Sequence, residues 1–291
     1  MKTPKRIQPL IDEGFIDTVI CQLMSGKEAT VYAVRCGEEI RCAKVYKESN
    51  KRNFHQSVFY TEGRKIKNSR RARAIKRGSC YGRSAQEEAW QSTEVDMLYR
   101  LKATGIHVPQ PYTFFEGVLL MELITTDRGD IAPRLSDLHL TAEQARTYHQ
   151  ILIWQVVRML CAGIVHGDLS QYNILAGSQG PVIIDLPQAV DAANNSNARH
   201  MIKRDIDNLT TYFSRFVPEL AQTDYGSEIW SLYQHGKLFE AVSLTGQIRA
   251  PHNKKPVNVG KIMQIINEVL KKEVAWRRYK QERWTSPYSQ C

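Results

Sequence analysis

The sequence predicts an α+β fold with two lobes, a small N-lobe built on an antiparallel sheet and a mainly helical C-lobe. Apolar residues alternate as in strands within residues 19–46, and they recur at helical spacing in residues 141–163 and 202–216. The 291 residues are 42% hydrophobic, which is enough for a sizeable core. We therefore place the N-lobe in residues 1–124 and the C-lobe in residues 125–291, with a cleft between them.

The composition of the chain indicates which binding partners and which cellular compartment to expect. The net charge of +10 favours polyanionic partners such as nucleotides, RNA or acidic surfaces, although it selects none of them. The six cysteines form no C-x-x-C pair and no ligand-like cluster with histidine, so neither a zinc site nor a disulfide framework is indicated. No apolar run reaches the length of a membrane span, and the N-terminus has no apolar leader segment. We expect a cytoplasmic protein with no membrane contact.

The elements of the N-lobe can be taken in order. Residues 7–15 fit a short helix whose core side would carry Ile7, Leu10, Ile11 and Phe15. Three strands should follow as an antiparallel meander, around residues 19–23, 30–35 and 40–46. A hairpin over residues 112–123 then ends in a buried strand that leads out of the lobe.

The tip between the first two strands is a candidate phosphate-binding loop. It reads Ser25-Gly26-Lys27-Glu28-Ala29, and Gly26 permits a close backbone approach to a phosphate that a side chain would block. It is not a Walker A loop, because Gly26-Lys27 is followed by a glutamate and lacks the upstream glycine. This excludes a P-loop NTPase.

Two charged residues lie on apolar faces of neighbouring elements. Lys44 falls within the apolar third strand, where its ammonium needs an anion. A helix that begins at Ser84 should carry Glu94 on the same face as its apolar residues, Trp90, Met97, Leu98 and Leu101. Taken alone, Lys44 would be an edge-strand lysine that reaches water. Because each charge is costly to bury alone, we predict a Lys44–Glu94 ion pair, which in kinases holds the α- and β-phosphates.

A basic segment separates these two residues. Residues 62–83 hold nine lysines and arginines against one acid, with few apolar side chains. Such a run is typical of a surface excursion, and its simplest role is that of a solvated loop. Because it lies at the rim of the expected cleft, it is also a candidate contact for RNA or a ribonucleoprotein.

The C-lobe begins after a polar connector that contains Gly129, Asp130, Pro133 and Ser136. Thr141 and Gln144 form a capping box for a long helix that stops at Gly163. A second helix is expected over residues 202–216, and a further one over residues 258–275. The long helix gives the loop that follows it a rigid support.

Two carboxylates and an amide follow apolar runs in the pattern of a phosphoryl-transfer centre. Residues 164–175 read IVHGDLSQYNIL, so Asp168 follows one run and Asn173 comes five residues later; a second run ends in Asp185. Transfer of a γ-phosphoryl group needs a carboxylate to orient the incoming hydroxyl and hard oxygen ligands for Mg²⁺. The order H-x-D-x-x-x-x-N is that of kinase catalytic loops. The simpler alternative is that Asp168 and Asn173 only form the turn of a β-hairpin. That alternative does not explain the second apolar strand, which ends in Asp185.

Taken together, these residues resemble the RIO family of atypical protein kinases over about residues 7–217. The likeness rests on the strand-tip loop, the strand lysine, the helix glutamate and the two loops with Asp-Leu-Ser-x-Tyr-Asn, which are far more specific than H-x-D alone. It implies a bilobal protein-kinase-like fold. Asp168 would be the catalytic base, supported by Lys44 and Glu94, and the metal ligands would be Asn173 and Asp185. The residues implied at the nucleotide are Ser25, Gly26, Lys27, Glu28, Ala29, Val31, Ala43, Lys44, Met121, Glu122, Ile124, Leu175 and Ile184.

The resemblance implies an ATP-dependent serine/threonine kinase or ATPase that uses Mg²⁺ or Mn²⁺ and acts on a protein or on itself. The chain has no Asp-Phe-Gly or Ala-Pro-Glu motif, and no arginine precedes Asp168 to receive an activating phosphate. Control by activation-loop phosphorylation is therefore not expected. His-Gly-Asp also resembles aminoglycoside- and choline-type phosphotransferases, which leaves a small-molecule phosphotransferase as an alternative. A basic RNA-binding scaffold that keeps nucleotide only as a switch is the third hypothesis.

Overall fold

The structure is a computed structural model that describes residues 3–47 and 93–247. The basic segment 62–83, the predicted start of the helix that follows it, and the expected helix at 258–275 lie outside the described residues. Within the two described ranges, no helix combines the length and the apolar character that crossing a bilayer requires.

A five-stranded antiparallel sheet forms the first part of the fold. Its strands are β1 (Thr18–Ser25), β2 (Ala29–Cys36), β3 (Glu39–Tyr46), β4 (Pro111–Phe115) and β5 (Val118–Glu122), in the spatial order β1-β2-β3-β5-β4. Glu116 and Gly117, which join β4 to β5, both have positive φ, and such turns match the twist of a hairpin. The predicted meander and hairpin are confirmed.

A short helix, α1 (Gln8–Asp12), precedes the sheet and shares a core cluster with it. Ile7, Leu10 and Ile16 are buried in that cluster, which also contains Tyr32, Val34, Ala43, Val45, Val118 and Leu120. Phe15, which we expected on the core side, is exposed. That prediction was wrong because the helix ends early: Gly14 has a φ of +74°, the chain turns there, and Ile16 takes the buried place.

Helical backbone over residues 93–103, called α2 here, contributes to a second and larger core. Met97, Leu98 and Leu101 are buried in the same cluster as Tyr46 and Leu119 of the sheet. This burial fixes the face of α2 that carries Glu94, because positions 94, 97, 98 and 101 recur at helical spacing.

Helices, two short strand pairings and isolated β-bridges follow in the rest of the described chain. The elements are α3 (Ala142–Cys161), β6 (Ile164–Val165), β7 (Ile174–Gly177), β8 (Gly180–Ile183), β9 (Val190–Asp191), α4 (Ala198–Phe213) and α5 (Tyr225–Gln234). β6 pairs with β9 and β7 with β8, both antiparallel, and the chain just before α3 bridges to β7. Thr141 and Gln144 form the predicted capping box of α3. The architecture is therefore α+β, with the sheet first and the helices after it, while the lobe boundary near residue 124 stays a prediction.

Candidate active site

Lys44 lies at the centre of an ion-pair cluster that joins β3, α2 and the loop after β8. Its Nζ lies 2.6 Å from Oε1 of Glu94 and 2.8 Å from Oδ1 of Asp185. Glu94 is only 2% exposed, whereas the Asp185 side chain is 42% exposed. The structure thus contains the expected Lys44–Glu94 contact and adds the carboxylate proposed for metal binding. The roles of these residues toward a nucleotide stay predictions.

The cluster favours the charged forms of Lys44 and Asp185. Burial acts against the Lys44 ammonium, but the carboxylates of Asp185 and Glu94 outweigh it and hold the pKa of Lys44 well above its ordinary value. The charge of Lys44 in turn lowers the pKa of Asp185, against the opposing effect of burial. Arg134 adds a smaller lowering of the same pKa.

The backbone of Asp185 has a left-handed conformation, with a φ of +67°. A residue with a Cβ adopts this conformation at a cost of about 1 kcal/mol or more, so neighbouring contacts must hold it. Those contacts are present at Ile184, whose N–H donates to the Asn173 carbonyl oxygen at 3.0 Å. The Ile184 carbonyl oxygen lies 3.1 Å from Nε2 of His166. The catalytic and metal loops are therefore bonded to each other directly beside Asp185.

Asp168 lies in a loop whose backbone is hydrogen-bonded to neighbouring residues of the same loop. Its N–H donates to Nδ1 of His166 at 3.2 Å, and its carbonyl oxygen accepts from Nδ2 of Asn173 at 2.8 Å. Burial lowers the pKa of His166, which favours a neutral ring; Nδ1 accepts, so we assign the proton to Nε2, which faces the Ile184 carbonyl oxygen. Partial burial raises the pKa of Asp168, Arg204 opposes that rise, and the charge of Asp185 adds to it.

Helix α4 holds the same loop from behind through Asp205. Oδ2 of Asp205 accepts from the Gly167 N–H at 2.8 Å, and Oδ1 accepts from the Leu169 N–H at 3.1 Å. Arg204 donates to the carbonyl oxygen of Gly167, and Asn208 donates to that of Leu169. Burial raises the pKa of Asp205 to about 7, despite the two backbone hydrogen bonds and the nearby guanidinium. One helix therefore binds both amides and both carbonyl groups that flank the catalytic-loop aspartate.

The tip between β1 and β2 is closed by its own backbone and by Lys47. The Gly26 N–H donates to the Ala29 carbonyl oxygen at 2.9 Å. Nζ of Lys47 donates to Oγ of Ser25 at 3.1 Å and to the Gly26 carbonyl oxygen at 2.7 Å. The Lys47 N–H donates to the Glu28 carbonyl oxygen at 2.8 Å. The residue after β3 thus fixes three residues of the tip, a role that the sequence pattern did not reveal.

The other residues expected at the nucleotide lie on neighbouring strands or just beyond them. Lys27 is exposed in the tip. Ile124 is buried after β5 in a small cluster against which Leu175 packs. Ile184 joins the catalytic and metal loops, as described above. The positions on the central strands β2, β3 and β5 are Val31, Ala43, Met121 and Glu122.

The oxygen donors suit a magnesium ion that arrives with phosphates. Among the described residues, no group of three or more His, Cys, Asp and Glu side chains could hold a metal ion. Asp185 has Oδ1 on Lys44, which leaves Oδ2, and Asn173 has Nδ2 on a carbonyl oxygen, which leaves Oδ1. Mg²⁺ is commonly bound through one or two protein carboxylates together with substrate phosphates and water. The pair therefore fits a Mg²⁺ or Mn²⁺ ion that is shared with a nucleotide.

Tyr46 and Asp205 support the site and were not predicted, although the sequence carried a signal for each. The Tyr46 hydroxyl donates to Oε2 of Glu94, and burial together with the Glu94 charge raises the pKa of Tyr46 well above its ordinary value. Tyr46 lies two residues after Lys44, which places both side chains on one face of β3. Asp205 falls on the apolar face of α4, as Glu94 does on α2.

Comparison with known proteins identifies the family of the chain. The family model of the RIO domain matches residues 30–225, about two thirds of the chain. That range includes Lys44, Glu94, Asp168 and Asp185 and begins just after the tip between β1 and β2.

Three curated relatives show the extent of the similarity. The chain is 32% identical over 210 residues to the RIO-type serine/threonine-protein kinase Rio1 of Haloferax volcanii, a match that covers 72% of this chain and 68% of that protein. It is 30% identical over 209 residues to serine/threonine-protein kinase RIO1 of Homo sapiens, and 28% identical over 215 residues to RIO3 of Caenorhabditis elegans. These matches cover 71% and 70% of this chain but only 35% and 38% of the relatives. Because the family model matches about two thirds of the chain, this chain belongs to the RIO domain family.

Proposed function

We propose that this protein is a serine/threonine protein kinase that transfers the γ-phosphoryl group of ATP to a protein or to itself, with ATP hydrolysis as the accompanying or dominant reaction. The observation that carries the proposal is the buried ammonium of Lys44 between Glu94 and the half-exposed Asp185. A fixed cation beside a carboxylate that can bind metal is what polyphosphate positioning requires. The names of the relatives support the same activity.

Each side chain has a separate task in this proposal. Lys44 would bind the α- and β-phosphates while Glu94 keeps its ammonium in place. Asp185 and Asn173 would hold the metal ion, which neutralises the charge that develops on the phosphates. Asp168 would orient the acceptor hydroxyl and accept its proton. Its pKa is raised by burial, and a carboxylate with a raised pKa is the stronger base.

The nucleotide would enter between the tip and the segment around Ile124, just after β5. The tip backbone would lie over the phosphates, and the backbone of Glu122 and Ile124 would meet the adenine. The buried cluster of Ile124 with Val182, against which Leu175 packs, offers the base an apolar surface. These placements rest on the family resemblance and on the positions of the residues in neighbouring strands.

Transfer of label from ATP tests the proposal. Purified protein would be incubated with γ-labelled ATP and Mg²⁺, and label would be sought in protein, in small acceptors and in free phosphate. Acid-stable label on serine or threonine supports a kinase, hydroxylamine-labile label supports an aspartyl phosphate, and free phosphate alone supports an ATPase. Label in an aminoglycoside or choline would overturn the protein-kinase assignment in favour of a small-molecule phosphotransferase. Absence of any product would overturn phosphoryl transfer altogether.

We further propose a cytoplasmic location and an RNA or ribonucleoprotein partner. Cys21, Cys36, Cys42 and Cys161 are free thiols, which suits a reducing compartment. The RNA partner rests on the charge of residues 62–83 alone, a segment outside the described ranges. Deletion of residues 64–77 should weaken RNA binding and flatten its salt dependence, because fewer condensed counterions are released. Unchanged affinity and slope would overturn this role.

A further inference from the structure

Arg134 crosses from the chain before α3 to the end of β1. Its backbone forms an isolated antiparallel bridge with Leu175, one of the residues expected beneath the nucleotide base. Its guanidinium lies against the sulfur of Met24, the residue that immediately precedes Ser25 and the tip between β1 and β2. A single side chain therefore spans the distance between the two surfaces that would enclose a nucleotide.

The partner of this guanidinium is chemically poor. A thioether sulfur is only a weak hydrogen-bond acceptor, whereas a guanidinium presents five donors in a planar fork. Among the described residues, Sδ of Met24 is the one hydrogen-bond acceptor that the Arg134 side chain contacts. Guanidinium groups favour carboxylate and phosphate oxygens, which they bind with charge-assisted and often bidentate hydrogen bonds. The contact with Met24 thus leaves most of the binding capacity of Arg134 unused.

The charge of Arg134 acts on the proposed phosphate site. It is half-buried, and its positive charge makes a small contribution to the lowered pKa of Asp185, after the larger one of Lys44. Lys44 contacts the same carboxylate from β3. A polyanion bound beside Lys44 would therefore also be attracted by the charge of Arg134, which takes no part in the Lys44–Asp185 ion pair.

We propose that Arg134 is a nucleotide-binding residue, which exchanges its contact with Met24 for the phosphate oxygens of a bound nucleotide. This inference deepens the proposed function and rests on it. In the structure the guanidinium lies against Met24. The nucleotide then offers a stronger acceptor within reach of the same side chain.

Binding of adenosine, ADP and ATP to variants of the whole 291-residue chain tests the inference. The variants are Arg134→Gln, Arg134→Lys and Met24→Leu, and affinities would be measured by calorimetry with Mg²⁺. Arg134→Gln should weaken ADP and ATP binding by about tenfold, the equivalent of one charge-assisted hydrogen bond, while adenosine binding stays within about twofold. Arg134→Lys should recover part of the loss, because the charge returns without the fork. Met24→Leu should leave ADP binding unchanged or stronger.

Controls separate this inference from a structural role and from the proposed function. Arg128→Gln removes an equal charge from an exposed position in the preceding connector and should leave all three affinities unchanged. Equal losses for adenosine and ADP in Arg134→Gln, or a matching loss in Met24→Leu, would show that Arg134 only joins the two surfaces and would overturn the inference. Unchanged ADP binding in Arg134→Gln would also overturn it. If the wild-type chain binds none of the three, the proposed function fails together with this inference.

Discussion

The Tyr46 hydroxyl donates a hydrogen bond to one carboxylate oxygen of Glu94, and Lys44 occupies the other. Both oxygens of a buried carboxylate are thus satisfied by two side chains from the same strand. The ring of Tyr46 packs edge-on against Phe114, with centroids 6.2 Å apart, which fixes the direction of the hydroxyl. The rotamer of Glu94 is therefore determined from β3 and does not depend on a bound nucleotide.

Tyr46→Phe should reduce stability and loosen the Lys44–Glu94 geometry without removing either charge. It leaves one oxygen of a buried carboxylate without its donor, for which the expected cost is about 1–3 kcal/mol. Phosphoryl transfer should fall several-fold through a higher KM for ATP. Urea denaturation and steady-state kinetics would measure the two effects. As a control, Tyr112→Phe removes the hydroxyl of an exposed tyrosine on β4 and should change neither quantity.

Lys44→Met and Asp185→Asn should both lower transfer at least about a hundredfold, because each removes charge stabilisation of the phosphates. Their effects on folding should differ. Lys44→Met leaves the Glu94 carboxylate buried without its counter-ion, which should lower the free energy of unfolding by about 3 kcal/mol. Asp185 is half-exposed, so Asp185→Asn should lower it less. Adding Glu94→Gln to Lys44→Met should restore part of the stability but none of the activity. Wild-type turnover in either folded single variant would contradict the site.

Asp168→Asn should abolish transfer and leave ATP affinity within about tenfold, because a base acts on the acceptor and contacts nucleotide little. The structure adds a reason for the separation. Asn173 binds the carbonyl oxygen of Asp168 and not its carboxylate, so the substitution leaves the placement of Asn173 unchanged. Calorimetry with ATP and single-turnover kinetics would test this. Parallel losses of binding and chemistry would indicate instead that Asp168 is a metal ligand.

Gly26→Ala should lower ATP affinity by about tenfold while the protein stays fully folded. A Cβ at this position would meet only the Ala29 carbonyl oxygen, at an ordinary contact distance of 3.7 Å. The protein itself can therefore accommodate alanine, and a loss of affinity would come from the phosphates beneath the tip. Thermal denaturation without ligand should give an unchanged Tm. Unchanged affinity would place the phosphates away from Gly26.

Asp205 should make stability depend on pH between about 4 and 7. Its pKa rises from 3.8 to about 7 in the folded protein, so the folded state binds more protons than the unfolded state in this window. Stability should therefore fall as pH rises through it, by up to about 1.4 kcal/mol per pH unit from this group. Asp205→Asn should remove that component and lower kcat, because an amide provides one acceptor where the loop needs two. Identical pH profiles of unfolding free energy in wild type and variant would contradict the assignment.

The sequence predicted the parts of the site that depend on local pattern. Lys44 and Glu94 could be paired because each is a charge on an apolar face, and burial of one requires the other. Phe15 was misplaced because helical periodicity was extended across Gly14, where a positive φ ends the helix. Lys47 and Arg134 could not be found in this way. Both lie outside regular periodic segments, and their partners Gly26 and Met24 are distant in sequence and meet them only in the folded chain.

The hydrogen bonds from α4 to the catalytic loop imply two different rates of amide exchange within one site. The Gly167 and Leu169 amides are bound to a buried carboxylate of α4, so their protons should exchange with solvent only when the helix and the loop separate. The Gly26 amide donates to the Ala29 carbonyl oxygen within the exposed tip, and the tip can open without separating α4 from the catalytic loop. A bound nucleotide would therefore contact a catalytic loop whose amides exchange slowly and a tip whose amides exchange faster. Any slowing of deuterium uptake on binding should be concentrated in residues 25–29.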